Sequence, residues 1–257
     1  MSPALLVVDR ISKSFGGVHA LTDINLSVAP GEKIALIGPN GAGKTTLFNV
    51  LDGQVAPDRG SVALRGRLLD GLPTHAIARL GIGRTFQVTA TFGSMTVSEN
   101  VLVALLSHRG RLHSLLAQVD ATHDPDARAL LARVGIEALG ARQCATLAYG
   151  DLKRVELAIA LAGAPCLLLM DEPTAGMPPG EREELMQNVA RVAKESGAAV
   201  LFTEHDMDVV FKHADRIVVL NRGRVIASGA PDEVRADARV REAYLGTDDA
   251  AHRSNDA

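Results

Sequence analysis

At 257 residues the chain can bury one large core, or one core with an inserted lobe. Its 27 Lys and Arg face 30 Asp and Glu, a formal charge of -3, which supplies no general basic surface for nucleic acid. No apolar run reaches the roughly 20 residues of a membrane helix. The longest, LAIALAGAPCLLLM, is broken by Gly163 and Pro165. The start, MSPALLVVDR, has no basic stretch ahead of an apolar one, so no signal peptide is expected and the chain is expected to stay in the cytoplasm. Cys144 and Cys166 lack metal-ligand spacing and read as small buried apolar residues.

Up to about Gln87, short alternating or β-branched runs (LLVVD, INLSV, KIALIG, SVALRG) are separated by turn signals at Pro30-Gly31 and Asp58-Arg59-Gly60. They predict a β-rich lobe. Inside it, GPNGAGKTT from Gly38 to Thr46 fits the phosphate-loop pattern, and the apolar EKIALIG before it reads as a buried strand. Gly41 and Gly43 let the backbone curl so that amide N–H groups point at phosphate oxygens. Lys44 adds a charge for the β- and γ-phosphates, Thr45 a hydroxyl for Mg²⁺, and a helix over KTTLFNVL its positive end. A chance glycine turn is the alternative, and the strand, loop, helix order argues against it.

From Val88 to about Leu161 the pattern turns helical. Thr96 and Glu99 have capping-box spacing ahead of NVLVALL, and Asp124-Pro125 opens DARALLARV, which Gly135 can close. Then CLLLM, the amphipathic EREELMQNVARVAKES, AAVLFT and RIVVL alternate strand with helix, the pattern of a parallel sheet. Asp171 and Glu172 follow the LLLM strand. At a strand end the chain turns, so neighbouring carboxylates can take different tasks, Asp171 on a metal and Glu172 on an attacking water. The tail from Thr247 is polar and small and is expected to be disordered.

Together these motifs resemble the ATP-binding subunits of ABC transporters, in the order that family uses and over Leu5 to Gly246. The resemblance implies an α/β fold: a P-loop ATPase with a mixed-sheet core, an antiparallel β subdomain and an inserted α-helical subdomain. The implied layout is one domain, 1–246, with core and β subdomain at 1–87 and 162–246, helical subdomain at 88–161, and tail 247–257. It implies ATP and Mg²⁺ as cofactors. Gly38, Pro39, Asn40, Gly41, Ala42, Gly43, Lys44, Thr45 and Thr46 would hold the phosphates, and Phe15 would stack on adenine. Gln87, in RTFQ, matches the glutamine that reaches Mg²⁺ and the attacking water, joining Thr45 and Asp171 as metal residues. Lys44, Glu172, Gln87 and His205, in TEHDM, form the implied catalytic set. LAYGD, with Ala148, Tyr149, Gly150 and Asp151, matches the signature that in this family closes over the nucleotide of a second subunit.

Two positions depart from the common pattern. Ala148 replaces the usual Ser, removing a hydroxyl contact to the γ-phosphate, a bond worth about 1.5–3 kcal/mol; LAYG is frequent in polar amino-acid importers of the family. Pro178, in PTAGMPP, stands where many relatives carry Asp. FGGVHALTDINLSV, ARLGIGRTFQ, MTVSENVLVAL and the closing YLG look like branched-chain amino-acid importers. That implies transmembrane permease subunits, a second ATPase subunit, an indirect link to a periplasmic solute-binding protein, no nucleic acid, and a peripheral place on the cytoplasmic face of the inner membrane. The segment VTATFGSMTVSENV is the candidate permease contact. Lipopolysaccharide export is the first alternative, opposed by LAYG and RTFQ. A soluble ABC ATPase lacks room between Gln87 and Ala148 for a long coiled coil, and a small-molecule kinase leaves LAYGD, Gln87 and His205 unexplained.

Overall fold

The computed structural model describes residues 3–85, 91–110 and 124–243. The chain opens with β1 (Leu6–Phe15), β2 (Val18–Val28), β3 (Lys33–Ile37), α1 (Lys44–Leu51), β4 (Arg59–Leu64), β5 (Arg67–Leu68) and α2 (Thr74–Leu80). There follow β6 (Ile82–Thr85), α3 (Val97–His108), α4 (Pro125–Arg133), α5 (Tyr149–Leu161), β7 (Leu167–Asp171) and α6 (Pro179–Ser196). It closes with β8 (Ala199–Thr203), α7 (Met207–His213), β9 (Arg216–Asn221), β10 (Arg224–Gly229) and α8 (Pro231–Ala236). Two compact units result, Met1–Ile77 with Ala199–Ala257, and Ala78–Ala198.

In the first unit, an antiparallel sheet runs in the order β2-β1-β4-β5. Along β1, Leu6 and Val8 are buried while Val7 and Asp9 face out, the period-two pattern of a sheet with one wet face. A second layer has β3 parallel to both β8 and β9, with β10 antiparallel on β9. KIALI and AVLFT are almost wholly buried, which is why they read as continuous apolar runs. Phe48 of α1 and Phe202 of β8 are fully buried, each worth roughly 1.5–3 kcal/mol of apolar burial. At the entry to β3, Asp215 accepts from the Lys33 N–H at 2.8 Å and pairs with its ammonium at 2.7 Å. Glu32 pairs with Arg216 at 2.7 Å on the same side.

The second unit contains the short parallel pair β6 and β7, in register from Ile82 against Leu167 to Thr85 against Met170. Its helices begin where the sequence chemistry places them. Thr96 accepts from the Glu99 N–H at 3.2 Å while the Glu99 carboxylate accepts from the Thr96 N–H at 2.6 Å, a complete capping box for α3. Asp124 caps α4 through the Asp126 and Ala127 amides, with Pro125 at the first helical position. The amphipathic α6 buries Leu185, Met186, Val189, Val192 and Ala193, and its Asn188 donates to the Val134 carbonyl at 2.8 Å. Both cysteines are buried, and burial pushes the Cys144 thiol above its ordinary pKa. Among the described residues no helix is long and apolar enough to cross a membrane. The tail expected to be disordered lies outside the described residues.

Thr96→Ala removes one half of the capping box. It is expected to cost about 1 kcal/mol, measurable as a lower urea midpoint with an unchanged denaturant slope.

Candidate functional site

In the first unit, β3 delivers the chain into the phosphate loop at Gly38. Gly43 is left-handed, at φ 107°, and caps α1 without any side-chain hydrogen bond; no acidic residue occupies the first turn. The helix therefore offers its positive end and first amides to an anion. A Cβ on Gly43 would lie 2.6 Å from the Ala20 carbonyl oxygen, so only glycine lets the loop pass β2 here. The Lys44 ammonium, almost buried, donates to the carbonyls of Gly38 at 2.6 Å and Pro39 at 3.3 Å. It ties the curled loop across its own mouth and places a full charge there. Thr45 is exposed in the first turn of α1.

His205 follows β8. Because Leu36 of β3 pairs with Thr203 of β8, the phosphate loop and His205 leave the sheet at the same carboxyl edge, where open α/β sheets bind ligands. His205 is exposed, and its N–H donates to the Glu204 carboxylate at 3.2 Å. Asp206 is a helix cap for α7. Phe15 is 49% exposed at the end of β1, which excludes an ordinary core role, and Lys13 lies 5.4 Å from its ring centre. Lys13 also pairs with Asp58 at 2.8 Å, and that bond, with one from the Ser14 N–H, holds the Asp58 carboxyl below its ordinary pKa.

In the second unit, β7 ends in Asp171, 4% exposed. Its Oδ2 lies 3.6 Å from the guanidinium of Arg84 on the neighbouring strand, and both side chains are buried. A buried carboxylate requires such a partner, and the pairing fixes where the Asp171 side chain lies at the strand end. Glu172 then adopts a left-handed backbone, φ 47°, and its carbonyl accepts from the Ala175 N–H at 3.2 Å. That conformation costs a non-glycine residue about 1–2 kcal/mol and takes the second carboxylate off the strand's alternation. Gln87, two residues beyond the end of β6, lies outside the described residues.

The signature falls in the same unit. α5 begins at Tyr149, with Ala148 at the N-cap and no side-chain hydrogen bond. Ala148 thus lacks a cap as well as a ligand hydroxyl. Gly150 and Asp151 fill the second and third helical positions. A Cβ on Gly150 would lie 2.6 Å from the Glu181 carboxylate, so this glycine also answers to the packing of α5 beside the start of α6. Arg154 of α5 pairs with Glu184 of α6 at 2.9 Å. Pro178 is the N-cap of α6, again without a side-chain bond, so an Asp at this position would supply a helix cap that the proline cannot.

Sequence reasoning missed three residues. Arg84 stood unremarked in RTFQ, and Glu204, 4% exposed, was hidden beside His205. Gly223 carried the only local signal, a glycine in NRGR. It is left-handed at φ 73°; its N–H donates to Ala42 at 2.9 Å and its carbonyl accepts from Thr22 at 2.8 Å. A Cβ there would meet the Ala20 oxygen at 2.6 Å.

A phosphate loop at the carboxyl edge of a mixed sheet defines the nucleotide-binding fold of P-loop proteins. The family description "ABC transporter" matches residues 21–175, and "Branched-chain amino acid ATP-binding cassette transporter" matches residues 224–250. The chain is 42% identical over 253 residues to the high-affinity branched-chain amino acid transport ATP-binding protein LivG of Salmonella typhimurium, covering 96% of this chain and 99% of that protein. It is 35% identical over 242 residues to the lipopolysaccharide export system ATP-binding protein LptB of Acidithiobacillus ferridurans, covering 94% and 97%. A solved nucleotide-free ATP-binding cassette from an ABC transporter matches with TM-score 0.84 at 31% identity, covering 94% of this chain and 99% of that one. A dimeric post-hydrolysis cassette bound to ADP and Pi matches with TM-score 0.75 at 25% identity, covering 88% and 98%. The chain belongs to the ABC transporter family, as one of its ATP-hydrolysing cassettes.

Gly223→Val places a branched side chain where backbone already stands. Nucleotide affinity is expected to fall at least about tenfold, read by titration with a fluorescent ATP analogue, while far-UV circular dichroism is retained.

Proposed function

We propose that this chain hydrolyses ATP to drive uptake of branched-chain amino acids, or related small solutes, through a membrane permease. The observation that carries this reading is the end-to-end similarity to a branched-chain amino acid transport ATPase, 42% over 96% of the chain. The match of residues 224–250 to a branched-chain amino acid cassette description supports it at the C-terminal end. Lipopolysaccharide export has the weaker support, 35% identity against 42%.

In this reading, loop residues Gly38 to Thr46 cradle the phosphates, Lys44 neutralises the β- and γ-phosphates, and Phe15 offers its exposed ring to adenine. Among the described residues no three His, Cys, Asp or Glu side chains gather into a metal cage. That suits Mg²⁺, which is commonly held by one or two protein groups together with phosphate oxygens and water. Thr45, Asp171 and Gln87 would hold it, and when bound it would offset charge on the transferred phosphoryl group. Glu172 accepts the proton of the attacking water, and His205 donates to the γ-phosphate as charge accumulates there.

The second nucleotide contact is assigned to a second cassette, a related subunit or another copy, through Ala148, Tyr149, Gly150 and Asp151. The uncapped start of α5 supports this, because its free N-terminal amides suit a phosphate. ATP then binds the subunits together, and hydrolysis lets them part. Permease contact is assigned to the segment VTATFGSMTVSENV, Val88 to Val101, through exposed side chains such as Phe92, with the buried Asn100 lying beneath that surface, and a periplasmic solute-binding protein is linked only through the permease. The place of work is the cytoplasmic face of the inner membrane, with the chain held there by its permease.

Glu172→Gln tests the assignment. Phosphate release from Mg-ATP is expected to fall at least about 100-fold with ATP binding retained, and vesicles carrying the permease should lose ATP-driven leucine uptake. Full turnover in the variant would remove Glu172 from the water, and wild-type vesicles that hydrolyse ATP without leucine uptake would overturn the solute class.

A further inference from the structure

Asn100 lies in the first turns of α3, only 2% exposed. Its Oδ1 accepts from the Phe92 N–H at 2.8 Å. Its amide hydrogens are shared among the carbonyls of Phe92 at 3.1 Å and Thr96 at 2.9 Å and the Cys144 sulfur at 3.3 Å. One side chain therefore closes the loop from Phe92 to Thr96 on itself and reaches across to a segment more than forty positions further on. The two stretches are already paired through their backbones. Cys144 N–H donates to Met95 at 3.0 Å, Ala145 N–H to Gly93 at 3.0 Å, and Val97 N–H to Arg142 at 2.9 Å, with Thr96 opposite Gln143 in an antiparallel bridge.

The far stretch has its own stiffness. Thr146 N–H donates to Gln143 at 3.0 Å, Leu147 N–H to Cys144 at 3.2 Å, and the Arg142 guanidinium to the Thr146 carbonyl at 3.0 Å. The next residue, Ala148, is the N-cap of α5. The ends of this ladder carry the two exposed large aromatics described in the unit, Phe92 at 58% and Tyr149 at 43%. Exposed rings on a buried polar support are the form of a contact surface held in a set orientation.

We propose that Asn100 is a positioning residue that welds the Phe92–Val97 loop to Arg142–Ala145, so that load on the permease-facing loop shifts the start of the signature helix directly. The weld is a feature of this unit alone; the relay rests on the transport reading above. Buried hydrogen bonds in a tight polar network hold two segments as one piece, whereas a fully solvated loop would absorb the displacement.

Amide hydrogen exchange on the full chain, paired with phosphate release by the assembled transporter, tests both parts. Asn100→Ala is expected to speed exchange at Val97, Cys144 and Ala145 together by at least about tenfold, with Val155 to Leu161 unchanged. Solute-stimulated phosphate release should fall at least about fivefold while the unstimulated rate stays within about twofold. Cys144→Ala, which severs only the sulfur contact, should move the same amides in the same direction by less and keeps the variant set informative if Asn100→Ala folds poorly. Faster exchange confined to Phe92–Val97, with Cys144 and Ala145 unchanged, would overturn the weld. Full solute stimulation in Asn100→Ala would overturn the relay. A wild-type assembly with no solute stimulation would overturn the transport reading and the relay with it, and the exchange pattern would still decide the weld.

Discussion

The carbonyl oxygen of Ala20 leaves no room for a side chain at either Gly43 or Gly223, each of whose Cβ atoms would lie 2.6 Å from it. The shape of the phosphate loop depends on that packing. β2 brings Ala20 against the loop, the turn between β9 and β10 comes against the same oxygen, and Gly223 then bonds to Ala42 on one side and Thr22 on the other. Three segments far apart in sequence are fixed within one hydrogen-bonded knot. A loop held this way presents its amides without reorganising when an anion arrives, which is the condition for strong electrostatic stabilisation. The antiparallel sheet is thus more than a cover: through β2 it sets the loop, and through the end of β1 it displays Phe15.

The second unit solves a different problem, keeping two adjacent carboxylates distinct. Asp171 ends a buried strand and is paired with Arg84, which fixes its position. Glu172 turns away at the cost of a left-handed backbone. The same unit carries the start of α5, where Ala148 leaves the helix uncapped, and α6, where Pro178 does likewise. Both positions give up about 1 kcal/mol of capping that Ser or Asp would have supplied.

What was legible in the sequence was local. The strand, loop and helix around Gly38–Thr46 follow from contiguous residues, and α1 spans KTTLFNVL as its pattern requires. The capping box at Thr96 and the Asp124 cap were readable because cap and helix are neighbours in the chain. Gly223, Arg84 and Asn100 were not, because each acts on a partner distant in sequence: Ala42, Asp171 and Cys144. A glycine in a hairpin, an arginine in a strand and an asparagine in a helix have ordinary explanations until the fold brings their partners in. The start of α5 has no local signal for a related reason, since Ala148 supplies no capping side chain and Gly150 packs beside Glu181 of α6.

Under the proposed function the loop of one cassette and the signature of another share each nucleotide. The most direct measurement is phosphate release per molecule from the purified chain with Mg-ATP, across a wide range of protein concentration. A shared site gives activity per molecule that rises with concentration to a plateau, as two subunits associate around ATP. Activity per molecule that stays constant down to the lowest concentrations would contradict it and assign turnover to a single subunit.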